Sequence, residues 1–213
     1  MRNKLKIKMQ YIKLKEDLKK YTVFSLKDIK KIDQKFGRAR LNEWQKKGYI
    51  KKIIKNFYIF TDIMPDERYL FEIANRIYPP SYISMETALS YYNLIPESVY
   101  AITSVSTRRT YTFDAEIGQF IYRKIKPSLF FGYKLLEYGD KKIKIASIEK
   151  TILDFLYLNP GINSLAAMES IRFNKEEFLN NADKNKLNDY LLLFNNKQLS
   201  KRVKVFWEYI HNA

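Results

Sequence analysis

Between Ser25 and Phe60 the spacing of apolar positions changes twice, and the changes mark out two short helices followed by a two-stranded ribbon. Ser25, with Asp28 three residues on, has the form of a capping box, which predicts a short helix over Leu26–Lys31. A second helix is predicted over Gln34–Lys47. At 100° per residue it places Phe36, Gly37, Arg40, Leu41 and Trp44 within roughly 140° of arc, a core-facing side. Gly48 supplies a stop, and Ile50–Ile54 is expected to pair with Phe57–Phe60 across Lys55 and Asn56. Upstream, Ile7, Tyr11, Leu14, Leu18 and Tyr21 follow steps of four, three, four and three, so a helix ending near Lys20 completes a small three-helix core. In that order the elements make a winged helix-turn-helix.

Beyond a link at Thr61–Pro65 the pattern starts afresh. A helix is predicted over Asp66–Ile77, with Tyr69, Leu70, Ile73, Ala74 and Ile77 on one side and Pro79 and Pro80 as its stop. Ser84 is read as the cap of a further helix through Tyr92, ended by Asn93 and Pro96. From Tyr100 to Ser147 the period becomes two, and AITSVSTRRTYTF, GQFIYRKI, SLFFGYKLLEY and KKIKIAS read as strands of an antiparallel sheet, with a Gly-Asp turn at 139–140. Ser147 caps SIEKTILDFLYL, which Asn159, Pro160 and Gly161 end. Three or four helices follow around Leu165, Met168, Ile171, Phe178, Leu191, Leu192, Phe194, Val203, Phe206 and Trp207. The predicted class is α+β: a winged helix-turn-helix over residues 1–62, then a larger α+β domain over 63–213 with an antiparallel sheet and C-terminal helices.

Charge gives the first part of the chain a direction. Residues 1–60 hold 19 Lys/Arg against 5 Asp/Glu, a net of +14, whereas residues 61–213 hold 20 against 18, so the N-terminal quarter carries almost all of the net +16. Concentrated cations repel one another, and a polyanion partner is the usual reason for keeping them together. The solvent-facing arc of the Gln34–Lys47 helix carries Lys35, Arg38, Ala39, Asn42 and Lys46. Cationic forks and an amide suit base edges and phosphates of double-stranded DNA, with Arg38 and Asn42 one turn apart as base readers. Lys51, Lys52 and Lys55 are placed to set the ribbon on phosphate. Arg2, Lys4 and Lys6 form either a frayed turn or an arm along DNA. A single module reads too few base pairs to select a genomic site, so paired half-sites, an inverted repeat near the gene's own promoter, are expected.

Composition narrows the remaining classes. The chain has 213 residues, 46% of them apolar, no cysteine, and one histidine, His211. Thiolate chemistry is excluded, the usual zinc and catalytic-triad sets lack their ligands or base, and neither a metal nor a cofactor is expected. The opening MRNKLKIKMQYIKLK lacks the unbroken apolar run of a signal peptide, and no later window approaches membrane-spanning length, so a cytoplasmic protein is expected. Restriction-type nucleases need an acid-any-lysine triplet on a strand, and after residue 60 only Asp140-Lys141-Lys142 qualifies, in a predicted turn. No Gly-Ser pair followed by spaced acids announces a nucleotidyltransferase. The reading is therefore non-enzymatic.

Four blocks, YISMETALSYYNLIPE (82–97), TSVSTRRTYTF (103–113), GQFIYRKIKPSLFFGY (118–133) and IASIEKTILDFLYL (145–158), together resemble the AbiEi-type antitoxins, the regulator half of bacterial abortive-infection toxin-antitoxin pairs. The resemblance covers most of residues 22–210, and the first block and the SIEK helix are its most specific parts. It implies an antitoxin that represses its own operon through the N-terminal domain. It also implies that the C-terminal domain relieves the toxicity of a nucleotidyltransferase-like toxin by the type IV route, in which antitoxin and toxin need not form a stable complex. Relatives commonly carry glycine at the tip of the wing, where this chain has Lys55-Asn56. Asn tolerates positive φ, so the turn survives. Arg108, Arg109, Arg123, Lys124 and Lys126 lie along two strand segments, as either one patch facing a partner or strand-edge cations that guard against aggregation. The alternative function is a free-standing winged-helix regulator whose second domain senses a ligand or partner.

Overall fold

The computed structural model describes residues 11–97 and 99–211, so Ile7 and the basic residues Arg2, Lys4 and Lys6 lie outside the described part. Over the described residues the chain is a mixed α+β protein with two sheets. Helix α1 (residues 11–18) leads to β1 (Phe24–Ser25), α2 (Leu26–Ile32), α3 (Arg38–Lys46), β2 (Ile50–Ile54) and β3 (Phe57–Phe60). The Ser25–Asp28 capping box forms as predicted, with each side chain meeting the other's backbone. Gly48 (φ +67) ends α3, and Asn56 (φ +71) supplies the left-handed residue that the β2–β3 turn requires. The small sheet has order β1-β3-β2, so a two-residue strand not foreseen in the sequence pairs with β3 through Phe24 and Tyr58.

Helix α3 starts four residues later than expected. Asp33 accepts the Phe36 amide on its carbonyl (3.0 Å) and the Lys35 amide on Oδ1 (3.0 Å), which closes a tight turn between the helices. Gly37, extended at φ −88° and ψ 142°, then takes the N-cap position. Phe36, Leu41 and Trp44 are buried as expected, with α1's Leu14 and Leu18 and the ribbon's Ile50, Tyr58 and Phe60. Arg40 is half-buried, its guanidinium 5.5 Å from the Phe36 ring centre and 3.6 Å from Asp33.

The second sheet is six-stranded, and it is mixed rather than antiparallel. After α4 (Glu67–Ile77) come β4 (Ser81–Ile83), α5 (Met85–Tyr91), β5 (Ala101–Ser106), β6 (Tyr111–Ala115), β7 (Gly118–Lys124), β8 (Tyr133–Tyr138) and β9 (Lys141–Ala146), in the order β6-β7-β5-β4-β9-β8. Strands β5 and β7 run parallel, as do β4 and β9. Period-two alternation reports which face a side chain takes, not the direction of its neighbour. The three-residue β4, hidden in a block read as helical, takes an interior place between β5 and β9. Then come α6 (Ile148–Leu158), α7 (Leu165–Ile171), α8 (Lys175–Asn181), α9 (Lys184–Phe194) and α10 (Lys197–His211). Leu165 and Leu192, expected in the core, are exposed, because α7 turns Met168 and Ile171 inward, and α9 turns Leu187, Leu191 and Phe194 inward and leaves Leu192 76% open.

Helix α4 covers one face of this sheet over Ile83, Ile102, Phe120, Tyr122, Ile143 and Ile145, while α6 and the C-terminal helices cover the other over Tyr82, Val105 and Ala146. The α4 cluster also takes in Val23, Ile53 and Ile59. The small sheet is therefore covered on both faces, by α1–α3 on one and by α4 on the other, and the boundary expected near residue 62 falls inside a shared apolar cluster. Polar contacts follow the same seam: the Tyr69 hydroxyl donates to the Thr22 carbonyl (2.8 Å), Arg76 meets Asp28 at 3.2 Å, and Lys51 meets Glu116 at 2.6 Å.

Within the α6 layer, Lys150 and Asp154 form an ion pair, both fully buried. The Lys150 ammonium also donates to the Tyr82 hydroxyl (3.0 Å), and Tyr82 and Ser84 each donate to Asp154 Oδ2 (2.9 Å). Ser84 occupies the N-cap position of α5 as expected, but its hydroxyl is committed to Asp154 and makes no cap bond. Burial pushes Lys150 down and Asp154 up from their ordinary values, and each charge opposes the shift of the other. Gly132 (φ +74) lets the lysine stem pass, since a Cβ there would stand 2.9 Å from a Tyr190 ring carbon and 3.1 Å from Lys150 Cβ.

Removing one partner leaves a buried charge unpaired. Asp154→Ala is expected to cost about 3–5 kcal/mol, while Lys150→Met combined with Asp154→Leu recovers most of it; urea denaturation of the three proteins checks both, and a double variant no more stable than Asp154→Ala would refute the coupling. Asp28 gives a second expectation. Burial raises its carboxyl, but the Ser25 bonds and the Arg76 and Lys31 cations outweigh that and hold it below the ordinary 3.8. A carboxylate depressed on folding stabilises above its unfolded value and loses that contribution as pH falls through the folded one. Asp28→Asn should therefore destabilise by about 1 kcal/mol at neutral pH. Its deficit should close below pH 3.8 in thermal melts followed across pH.

Candidate nucleic-acid interface

The face of α3 opposite its buried side is open to solvent. Arg38, Ala39, Asn42 and Lys46 are all exposed on it, with Arg38 at the first helical position and Asn42 one turn later. Because α3 begins at Arg38, Lys35 lies in the preceding turn, exposed beside the helix start rather than on it. The neighbouring Lys47 pairs with Glu43 at 2.7 Å. What faces solvent here is an arginine fork, an amide and two ammonium groups around one small residue, and the apolar surface that could compete lies buried beneath.

The ribbon divides its three lysines. Ile50 packs toward the helices, and Lys52, two residues on, shares that side, while Lys51 takes the other side and pairs with Glu116 in the β6–β7 turn at 2.6 Å. Lys51 is thereby tied to the body of the protein by a pair whose two side chains are both exposed. Lys52 and Lys55 remain exposed beside the α3 face, Lys55 in the turn itself. Ile53, on the same side of the strand as Lys51, joins the α4 cluster, and across the register shift between Lys52 and Ile54 the partly buried Ile54 packs against it as well.

The five basic residues of the second sheet do not share one open surface. Arg123 donates to the Leu158 carbonyl (2.8 Å) and so neutralises the C-terminal end of α6. Arg108 lies on the other face, its guanidinium 4.1 Å from the centre of the Tyr78 ring, while the Arg109 carbonyl accepts from the Tyr78 hydroxyl (3.0 Å). Lys124 binds Thr110 through its amide (3.2 Å), and Lys126 precedes a 3₁₀ turn at Pro127–Leu129. Two of the five thus hold the sheet to its helices.

Tyr82, Ser84, Lys150 and Asp154 carry hydroxyls, an amine and a carboxylate in mutual contact, a group not foreseen in the sequence. Its signal was present: Lys150 and Asp154 stand four apart, the spacing of an intrahelical pair, in a helix whose one other charged residue is Glu149. All four have zero exposure, which denies a substrate access and makes the cluster part of the core. It joins the two blocks most specific to the resemblance, 82–97 and the SIEK helix. Among the described residues no helix is long and apolar enough to cross a membrane. Compared with known proteins, the chain matches no family model and no curated protein.

Proposed function

We propose that the N-terminal unit is a winged helix-turn-helix that binds duplex DNA, with α3 in the major groove and the β2–β3 hairpin as its wing. One observation carries the proposal: α3 buries Phe36, Leu41 and Trp44 and turns Arg38, Asn42 and Lys46 outward, in the part of the chain that holds nearly all of the net charge. Arg38 reads a guanine edge and Asn42 an adenine edge, while Lys35, Lys46, Lys52 and Lys55 fix the protein on phosphate. The resemblance extends this to an autorepressing antitoxin that acts on an inverted repeat at its own promoter. In that role residues 63–213 counteract a nucleotidyltransferase-like toxin in the cytoplasm.

The full chain is the right material for testing, because a 1–60 fragment would uncover Val23, Ile53 and Ile59. Binding to duplex DNA should give a log-log salt slope of about −4 to −7, the signature of five to eight neutralised phosphates; a slope near zero would remove DNA as the partner. Arg38→Ala should cost about 1–3 kcal/mol at the operator and little on random DNA, whereas Lys52→Ala weakens both alike. Lys51→Ala, freed only from Glu116, should change DNA affinity less than Lys52→Ala. The antitoxin half is tested by co-expression with the toxin encoded beside this gene. Relief of growth arrest should persist in the Arg38→Ala, Lys52→Ala double variant, and its loss at normal protein levels would count against a separate role for residues 63–213.

A further inference from the structure

Strand β6 is an outer edge of the larger sheet, and its side toward the α4 cluster carries Tyr111 and Phe113. Phe113 stands directly opposite Phe120 of β7 in the register. The two ring centres are 5.1 Å apart with planes 10° from parallel, close to the roughly 4.8 Å between neighbouring strands, so the rings stack along the line that joins the strands. Phe120 is fully buried and takes one face of the Phe113 ring. The other face is turned away from β7, where no further strand follows, and Phe113 is part-exposed. Tyr111, also part-exposed, stacks on Tyr78 with centres 5.6 Å apart and planes 20° from parallel, and its centre lies 5.7 Å from that of Phe113. A column of rings thus starts in the core and ends, half open, at the sheet edge.

Cations surround that edge. The Arg108 guanidinium lies 4.1 Å from the Tyr78 ring centre, Arg109 follows it, and Lys124, two residues beyond Tyr122 in β7, shares the ring-bearing face. All three are exposed. Of the acids nearby, Asp114 takes the opposite face and accepts from Gln119 (2.7 Å), while Glu116, in the turn after β6, pairs with Lys51 (2.6 Å). Charge alone is enough to guard a strand edge against aggregation, and it leaves the stacked rings unexplained. Rings with an open face beside three cations suit a partner that is both planar and anionic. Single-stranded nucleic acid has that chemistry, since its unpaired bases stack on aromatic side chains while cations hold its phosphates. We propose that the β6 edge binds single-stranded nucleic acid, with one base on Phe113, the next on Tyr111, and phosphates on Arg108, Arg109 and Lys124. The site belongs to the second unit, stands apart from the α3 face and does not depend on duplex DNA as a partner of that face.

Fluorescence anisotropy with labelled strands of about ten nucleotides tests this on the full chain at fixed ionic strength. A net charge of +16 attracts any oligonucleotide, so the measurement that isolates stacking compares oligouridylate with an abasic strand of equal length and charge. Both are measured in the Arg38→Ala, Lys52→Ala double variant, which removes contacts proposed for the α3 face. Uridylate should bind at least about 25-fold more tightly than the abasic strand, about fivefold for each of two stacked bases. Phe113→Leu keeps apolar bulk against Phe120 and removes the ring, so it should cut that preference at least about fivefold while thermal melts show a folded chain. Tyr111→Leu should do the same, and Tyr111→Phe, which keeps the ring, should leave the preference unchanged. Arg109→Ala should weaken both strands alike. Oligodeoxyuridylate measured beside oligouridylate identifies DNA or RNA as the tighter ligand. Equal binding of the uridylate and abasic strands would overturn the proposal, and so would a folded Phe113→Leu that keeps the full preference. If Phe113→Leu does not fold, the abasic comparison and Tyr111→Leu decide in the same way. Self-association in sedimentation velocity that Tyr111→Leu abolishes, without any preference for bases, would give the edge to a second copy of the chain instead.

Discussion

The Lys150–Asp154 pair is the constraint on which most of the larger sheet depends. Taking an ammonium and a carboxylate out of water costs several kcal/mol per ion, and attraction between them repays it only when their remaining hydrogen bonds are also met. Here the missing partners come from another element: Tyr82 and Ser84 flank Ile83 on β4, so that both hydroxyls point to α6 while Ile83 points to α4. A slip of β4 by one residue would exchange the faces and bring Ile83, which has no hydroxyl to offer, to the charged pair. Three residues are too few to fix a strand by ladder bonds alone. The buried charges supply the register, and β5 and β9 are then laid on either side of a strand whose phase is set.

The same pair gathers the helices. The Lys150 ammonium lies 5.1 Å from the Phe131 ring centre and 4.8 Å from that of Phe194, so the lead into β8 and the end of α9 both close over it. One residue earlier in α6, Glu149 accepts from Ser147 (2.6 Å), the Asp183 amide (3.0 Å) and Lys186 (2.9 Å). Burial raises that carboxyl, and the three donors outweigh it and hold it below its ordinary value. Adjacent residues of one motif thus secure opposite ends of the layer: Lys150 the sheet side, Glu149 the start of α9.

What the sequence made legible was what local chemistry decides. The Ser25–Asp28 box, the Asn56 turn, the Gly48 stop and the cap at Ser147 are each written in two to four neighbouring residues, and each stands where it was read. The exposed set on α3 follows from helical period alone. Strand order and direction were not legible, because they are decided by partners distant in the chain: β4 was hidden by its shortness and by the helical period that resumes at Met85. Nor could spacing show that Lys51 would leave the other ribbon lysines for Glu116, or that Arg123 and Arg108 would fall on opposite faces, since both outcomes depend on how the hairpin and the sheet meet their neighbours.

The seam has a consequence for how any partner of the α3 face is met. A flexible linker would let a small DNA-reading unit turn independently of its body, which is the default for interfaces that are small and polar. Here the small sheet has an apolar layer on each side, with Val23, Ile53 and Ile59 against α4, and ion pairs at two separate places along the junction, Asp28–Arg76 and Lys51–Glu116. Rotation about the link at 61–66 would have to break all of these together. The direction in which Arg38 and Asn42 face is therefore set by the larger sheet and α4, not by the short helices that carry them. On the proposal that two copies occupy an inverted repeat, half-site spacing then depends on how the bodies abut, and cooperativity between copies belongs to surfaces of the second unit rather than to the helices that read bases.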